Sequence, residues 1–412
     1  MKKFLTLDDM TVAGKTVLVR VDINCPIDRD SRKIMDDTRI RRHAATTLKE
    51  LAEAGAKTVV LSHQGRVGDT DFVPLDQHAS VLEHHLGSPV TYIDDIFGTH
   101  ARESITKMKN GETLLLENVR FNSEELKEQP ADALAKTMMV QKLSPLADYF
   151  VNDAFGAIHR SQASLVGFGE TLPTAAGRLI EAELTALERV FDQQEKPVAF
   201  VLGGVKVPES LKVVRCALAN GTADMILTGG LLGTLFLAAR GYNLGNATME
   251  VLKGKGIDTL IPDAQAILRR YEDNIMTPVD IAIDHERRID IAVSALPSSF
   301  PIADIGKETV DHYCKILDDA KVVVMNSPMG RFEDKDFDYG THKLITHVAN
   351  QKGYRMIGGG HSAEVVRQLG IADRFDHIST GGRAALYYLA GEKTPVVTML
   401  QKAKQTWGQA AR

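Results

Sequence analysis

Residues 198–219 read VAFVLGGVKVPESLKVVRCALA. A short apolar run rich in β-branched and aromatic residues stops at Gly203-Gly204, and an amphipathic stretch follows, so a strand is expected over 198–202 and a helix over 209–219. The same rhythm recurs on both sides. Strands are expected upstream over 16–23, 58–62, 90–93, 113–116 and 149–152, and downstream over 225–228, 322–325, 354–357 and 377–379. Helices are expected over 38–54, 75–86, 307–319 and 337–351. Strands alternating with helices predict an α/β fold with parallel sheets. Within a helical stretch at 182–190, Leu184, Leu187 and Val190 recur at three-residue spacing before Glu195-Lys196-Pro197 ends it. This connector, 173–195, separates an N-terminal domain over 1–172 from a C-terminal domain over 196–378.

The composition excludes several classes. Among 412 residues, 44% are apolar and 25% charged, which is ordinary globular usage. Lys and Arg number 49 against 54 Asp and Glu, a net charge of −5, so no global attraction to nucleic acid or an anionic membrane is expected. Cys25, Cys216 and Cys314 are far apart and form no CxxC, which fits a reducing compartment rather than a disulfide framework or a zinc site. The first residues, MKKFLTLDDM, lack the apolar stretch of an export signal, and a cytoplasmic location is expected.

In parallel sheets ligands gather beyond the carboxyl ends of the strands. In the first half those positions carry Asp22, Asn24, His63, Gly65, Arg66, Asn118, Arg120, Asn152, Asp153, His159 and Arg160. Arg39, Arg66, Arg120 and Arg160 come from different βα units but the same end of the expected sheet. Each like-charged pair at 4 Å would cost about 4 kcal/mol at an effective dielectric near 20. A small polyanion is the natural counterpart, since the guanidinium fork binds two oxygens at once. In the second half the strand ends carry Gly203-Gly204 with Lys206, Gly229-Gly230, Gly358-Gly359-Gly360 and Gly381-Gly382. Glycines there let phosphate oxygens reach backbone N–H groups, so a nucleotide pocket is expected. Neither GxGxxG nor GxxxxGK[ST] nor HExxH occurs, which argues against a dinucleotide fingerprint, a P-loop and a zinc protease helix.

The segments VRVDINCP (19–26), SHQGR (62–66), LLLENVRF (114–121), VNDAFGAIHRSQAS (151–164), VLGGVKV (201–207), NSPMGRFE (326–333), GGGHSA (358–363) and HISTGG (377–382) together resemble the phosphoglycerate kinase family, nearest its archaeal branch. The resemblance covers about residues 10–395 and implies two Rossmann-like domains, joined by a helix and closing on a hinge, with 379–412 as hinge and C-terminal segment. It implies reversible phosphoryl transfer from ATP to the carboxylate of 3-phosphoglycerate, giving 1,3-bisphosphoglycerate and ADP, with Mg²⁺ carried by the nucleotide and no metal held by the protein's own side chains. Position by position it places Asp22, Asn24, Arg39, His63, Gln64, Gly65, Arg66, Arg120 and Arg160 at the triose-phosphate site. Gly203, Gly204, Lys206, Glu333, Gly359, Gly360, His361 and Ser362 fall at the nucleotide, and Arg39, Lys206, Gly359 and Gly382 at the transferring group. A monomer is expected, with a dimer as the other arrangement, and neither nucleic acid nor membrane as partner.

A carboxylate is already ionised near neutral pH, so the acceptor needs no general base. Transfer needs in-line positioning and neutralisation of charge, a task for Arg39, Lys206, glycine amides and Mg²⁺. Departures from the family pattern lie in the second half: His361 for Asp, Ser327 for Gly, Val205 for Ala, Arg383 for Gly and Ser210 for a second lysine. They keep open a second class, a paralogue with altered turnover that binds metabolites or regulates.

Overall fold

The computed structural model describes residues 2–191 and 195–408, with the backbone alone at residue 383. Residues 192–194 of the expected connector and the last four residues of the chain lie outside the described residues. The chain forms two compact units, Met1–Leu184 with Lys393–Arg412, and Thr185–Glu392. The first division falls inside the helix Arg178–Val190, and the second splits the 379–412 segment between the units.

The first unit is built on β1 (Thr16–Arg20), β2 (Lys57–Leu61), β3 (Val90–Ile93), β4 (Thr113–Leu116), β5 (Tyr149–Asn152) and β6 (Thr174–Ala176). They form one parallel sheet in the order β3-β4-β2-β1-β5-β6. A sheet covered by helices on both faces needs apolar side chains on both, and accordingly Val17, Val19, Val60, Leu115 and Val151 are buried on one face and Leu18, Val59, Leu114 and Phe150 on the other. The chain turns from one side of β1 to the other when it passes from β4 to β5, so the crevice for a ligand opens beyond the ends of β1, β2 and β5.

The second unit contains β7 (Val198–Leu202), β8 (Met225–Thr228), β9 (Ile275–Met276), β13 (Val322–Asn326), β14 (Tyr354–Gly358) and β15 (His377–Ile378). These pair in parallel in the order β15-β14-β13-β7-β8-β9, with the reversal between β7 and β13. β10 (Asp280–His285), β11 (Arg287–Ala292) and β12 (Ile302–Ile305) make a separate antiparallel sheet ordered β11-β10-β12.

The first strand ends at Arg20 rather than 23, because the N–H groups of Asp22 and Ile23 turn to side chains, His43 Nε2 at 3.2 Å and Ser62 Oγ at 3.3 Å, instead of to a neighbouring strand. The 38–54 helix is interrupted by a π turn at Ala44–Leu48 between Thr38–His43 and Lys49–Glu53. The linking helix runs Arg178–Val190, inside the expected 173–195 connector. Its cap comes from afar: Asp153 Oδ1 accepts the N–H groups of Leu179 and Ile180 at 2.8 and 3.2 Å.

Candidate active site

Beyond the ends of β1, β2, β4 and β5 the first unit gathers cations around two buried carboxylates. Arg39 Nη1 donates to both oxygens of Asp22 at 3.2 and 3.1 Å, and Arg39 remains half exposed. Burial alone would raise the Asp22 carboxyl, but the charge of Arg39 foremost, with Arg20 among the further contributors, outweighs it and holds Asp22 well below the usual carboxylate range. Asn24 Oδ1 accepts the Gly65 N–H at 3.0 Å, joining the loops after β1 and β2. Gly65 has φ +66, and a Cβ there would lie 2.4 Å from the Asp71 carbonyl oxygen, so only glycine fits.

Arg120 is buried and donates Nη1–H to the Gly65 carbonyl. Burial, then the charges of Arg160 and Arg20, bring it down to about 10, with Arg66 acting in the same direction. Of the arginines expected to converge, Arg66 and Arg160 therefore act on Arg120, while Arg39 is paired with Asp22. Glu125 faces them as a counter-charge. His63 is buried too, and burial followed by Arg20 holds its imidazole well below the ordinary value, so the ring is neutral near pH 7.

Gln64 turns its side chain into the protein. Its Oε1 accepts from Cys25 N–H at 2.8 Å and lies 3.0 Å from His78 Nε2, while its Nε2 donates to the Cys25 and Asp71 carbonyls at 2.9 and 3.2 Å. Its side chain is fully buried and shapes the loop from beneath. Behind the site, His43 Nε2 accepts the Asp22 N–H at 3.2 Å and its Nδ1 lies 2.9 Å from Asp153 Oδ2. Arg20, His43, Glu125 and Ser164 were not expected as site residues. Arg20 hides inside the apolar run VLVRVDI, and Ser164, which it reaches, is 144 residues away.

In the second unit, five parallel strands end in a left-handed residue. After β7, β8, β14 and β15 these are Gly204, Gly230, Gly359 and Gly382, with φ of +76, +53, +90 and +44°. After the central β13 it is Ser327, at φ +74°. These ends crowd together: a Cβ on Gly204 would lie 2.7 Å from Ser327 Cβ, and one on Gly203 would lie 2.2 Å from the Pro328 carbonyl oxygen. Gly360 opens onto free space, and the helix Gly360–Gln368 starts there with Ser362 in its first turn. Ser362 Oγ is buried without a hydrogen-bond partner. Free N–H groups at a helix start beside an unsatisfied hydroxyl suit an anion.

A cavity of about 360 Å³ adjoins these loops, bounded by Gly204, Leu231, Val251, Pro278, Met329 and Glu333. Its wall is mostly apolar, as a nucleoside pocket requires. His361 lies on this wall against the Phe332 ring, with centroids 5.1 Å apart. Lys206 is exposed at the start of the helix Val207–Ala219, Val205 is 57% exposed beside the cavity, and Ser210 is buried within that helix. The Arg383 side chain lies outside what is described. Among the described residues no three His, Cys, Asp or Glu side chains gather to hold a metal ion, and no helix is long and apolar enough to cross a membrane.

The sequence profile described as phosphoglycerate kinase matches residues 7–392. The chain belongs to the phosphoglycerate kinase family. Phosphoglycerate kinase of Methanothermobacter thermautotrophicus is 45% identical over 98% of this chain and 98% of its own. That of Methanosarcina mazei is 46% identical over 100% and 98%. The crystal structure of phosphoglycerate kinase from Pyrococcus horikoshii shares 41% identity with a TM-score of 0.90, over 97% of this chain and 99% of its own. The enzyme from Coxiella burnetii, at 29% identity, gives a TM-score of 0.81 over 99% and 100%. Such coverage at such identity supports a phosphoglycerate kinase enzyme rather than a divergent binding paralogue.

Proposed function

We propose that the cation cluster of the first unit binds 3-phosphoglycerate and that the glycine-lined strand ends of the second bind the magnesium nucleotide, with residues 1–172 and 196–378 carrying these two roles. The proximity of Arg66 and Arg160 to Arg120, whose guanidinium both of them disfavour, carries this reading, because like charges gathered in this way favour the arrival of an anion. Arg66, Arg120, Arg160 and His63 hold the anionic groups of the acceptor, Asp22 orients Arg39, and Asn24, Gln64 and Gly65 set the loop that carries them. On the nucleotide side the apolar cavity takes the base, Glu333 meets the ribose, and Gly203, Gly204, Gly359, Gly360, His361 and Ser362 surround the phosphates.

The acceptor carboxylate oxygen forms a bond to the γ-phosphorus as the bond from that phosphorus to the β,γ-bridging oxygen breaks. The electron pair of the broken bond leaves with ADP. Arg39, Lys206 and the amides near Gly359 and Gly382 neutralise charge on the transferring oxygens. Mg²⁺ enters with the nucleotide, since an octahedral ion satisfied by phosphates and water needs few protein ligands. The chain works as a cytoplasmic monomer, with neither nucleic acid nor membrane as partner.

A coupled assay of ATP-dependent acyl phosphate formation tests this. Arg39→Ala and Lys206→Ala are each expected to lower kcat at least about tenfold, equivalent to about 1.4 kcal/mol of transition-state stabilisation. A folded variant with near-normal kcat removes that residue from the transfer step.

A further inference from the structure

Arg20, Ser164 and Glu125 stand behind His63, and phosphoryl transfer itself gives them no task. Arg20 is 1% exposed, and Ser164 and Glu125 are fully buried. Arg20 Nη2 lies 3.0 Å from His63 Nδ1, its Nε donates to Ser164 Oγ at 2.8 Å, and its Nη1 donates to the Val21 carbonyl. Ser164 in turn donates its hydroxyl to Glu125 Oε1 at 2.5 Å and its N–H to Oε2 at 2.8 Å. The guanidinium is thus held from three directions.

A guanidinium carries donors and no acceptor. Facing it, His63 Nδ1 can only accept, so the ring proton sits on Nε2. Among the described residues none takes a hydrogen bond from that Nε2–H. The charged groups facing the ring are Arg20, Arg120 and Arg160 against the single carboxylate of Asp22, and this excess of cations opposes a second proton. We propose that Arg20, braced by Ser164 and Glu125, is a positioning residue that fixes His63 as the Nε2–H tautomer, so that the histidine presents a donor to an anionic oxygen of the acceptor. The other tautomer would turn a lone pair toward the anion. The substrate-facing part of this rests on the assignment of His63 to the 3-phosphoglycerate site.

The test is ¹⁵N–¹H long-range correlation of the imidazoles in the whole protein, with His63 identified by loss of its signals in His63→Gln. The wild type is expected to show an Nε2–H ring that does not titrate between about pH 5.5 and 8. Arg20→Met should give mixed tautomers that titrate near the ordinary histidine value. In that variant KM for 3-phosphoglycerate should rise about tenfold at pH 8, the size of one charge-assisted hydrogen bond, and recover on acidification, when the imidazolium donates from both nitrogens. KM for ATP should stay constant. Arg20→Lys, which keeps a donor, should restore most of the wild-type behaviour. Ser164→Ala, which loosens Arg20 without removing charge, should shift the tautomer in the same direction and serves if Arg20→Met fails to fold. A wild-type Nδ1–H ring, or an unchanged spectrum in Arg20→Met or Ser164→Ala, overturns the proposal. A lost tautomer with an unchanged KM for 3-phosphoglycerate places the error in the assignment of His63 to the acceptor site and overturns its role as substrate donor.

Discussion

Ser327 holds a left-handed backbone at the centre of a sheet whose neighbouring strand ends meet the same demand with glycine. For an L-residue that conformation costs roughly 1 to 2 kcal/mol, while glycine gives back about 0.4 to 1 kcal/mol through the freer unfolded chain. Ser327→Gly is therefore expected to stabilise the protein by up to about 1 kcal/mol, and Ser327→Ala, which keeps the strain, by nothing. Urea unfolding midpoints of the two variants check this, and a lower midpoint for the glycine variant contradicts it. At this scale the sequence showed the cations at strand ends best. Arg39, Arg66, Arg120 and Arg160 could be placed together because each follows a recognisable strand or opens a helix. The buried residues were hidden for an equally physical reason: the partners of Arg20 and His43 are fixed by tertiary packing across more than a hundred residues.

The helix Asp76–Leu86 buries His78 against the loop after β2. Its Nε2 lies 3.0 Å from Gln64 Oε1, and its Nδ1 is buried without a partner, so a second proton would find no acceptor. Burial brings its pKa down from 6.5 to about 4. The unfolded chain thus binds more protons than the folded one between these values, and stability falls as pH drops from about 6.5 to 4, by about 3 kcal/mol at most. Unfolding of wild type and His78→Leu at pH 7 and 4.5 should show a loss on acidification about 2 to 3 kcal/mol smaller in the variant. Parallel losses would mean that His78 does not titrate in this way. Elements with a clear period were legible, and others were not. The helix Gly230–Ala239 is buried almost all round, so it offers no polar face to count. The hairpin of β10 and β11 turns at Glu286, φ +61°, without the Asn-Gly or Asp-Gly pair that marks such turns. β6 and β9 are three and two residues long, too short for a pattern.

On the scale of the molecule, each parallel sheet reverses its strand order once, and the residues proposed for substrate gather beyond those reversals. The proposed division of labour follows from sequence chemistry: arginines at the strand ends of one unit, glycines at those of the other. Splitting donor and acceptor in this way means that transfer requires both to be bound and brought together with water excluded, or the acyl phosphate would be hydrolysed. Separate binding of the two substrates is the central claim, and Arg66 is suited to test it because it is exposed at the cation cluster. Calorimetric titration of wild type and Arg66→Ala with 3-phosphoglycerate and, separately, with ADP should show about tenfold weaker 3-phosphoglycerate binding in the variant and unchanged ADP binding. Weaker ADP binding with 3-phosphoglycerate affinity intact would contradict the assignment of the two substrates to their units.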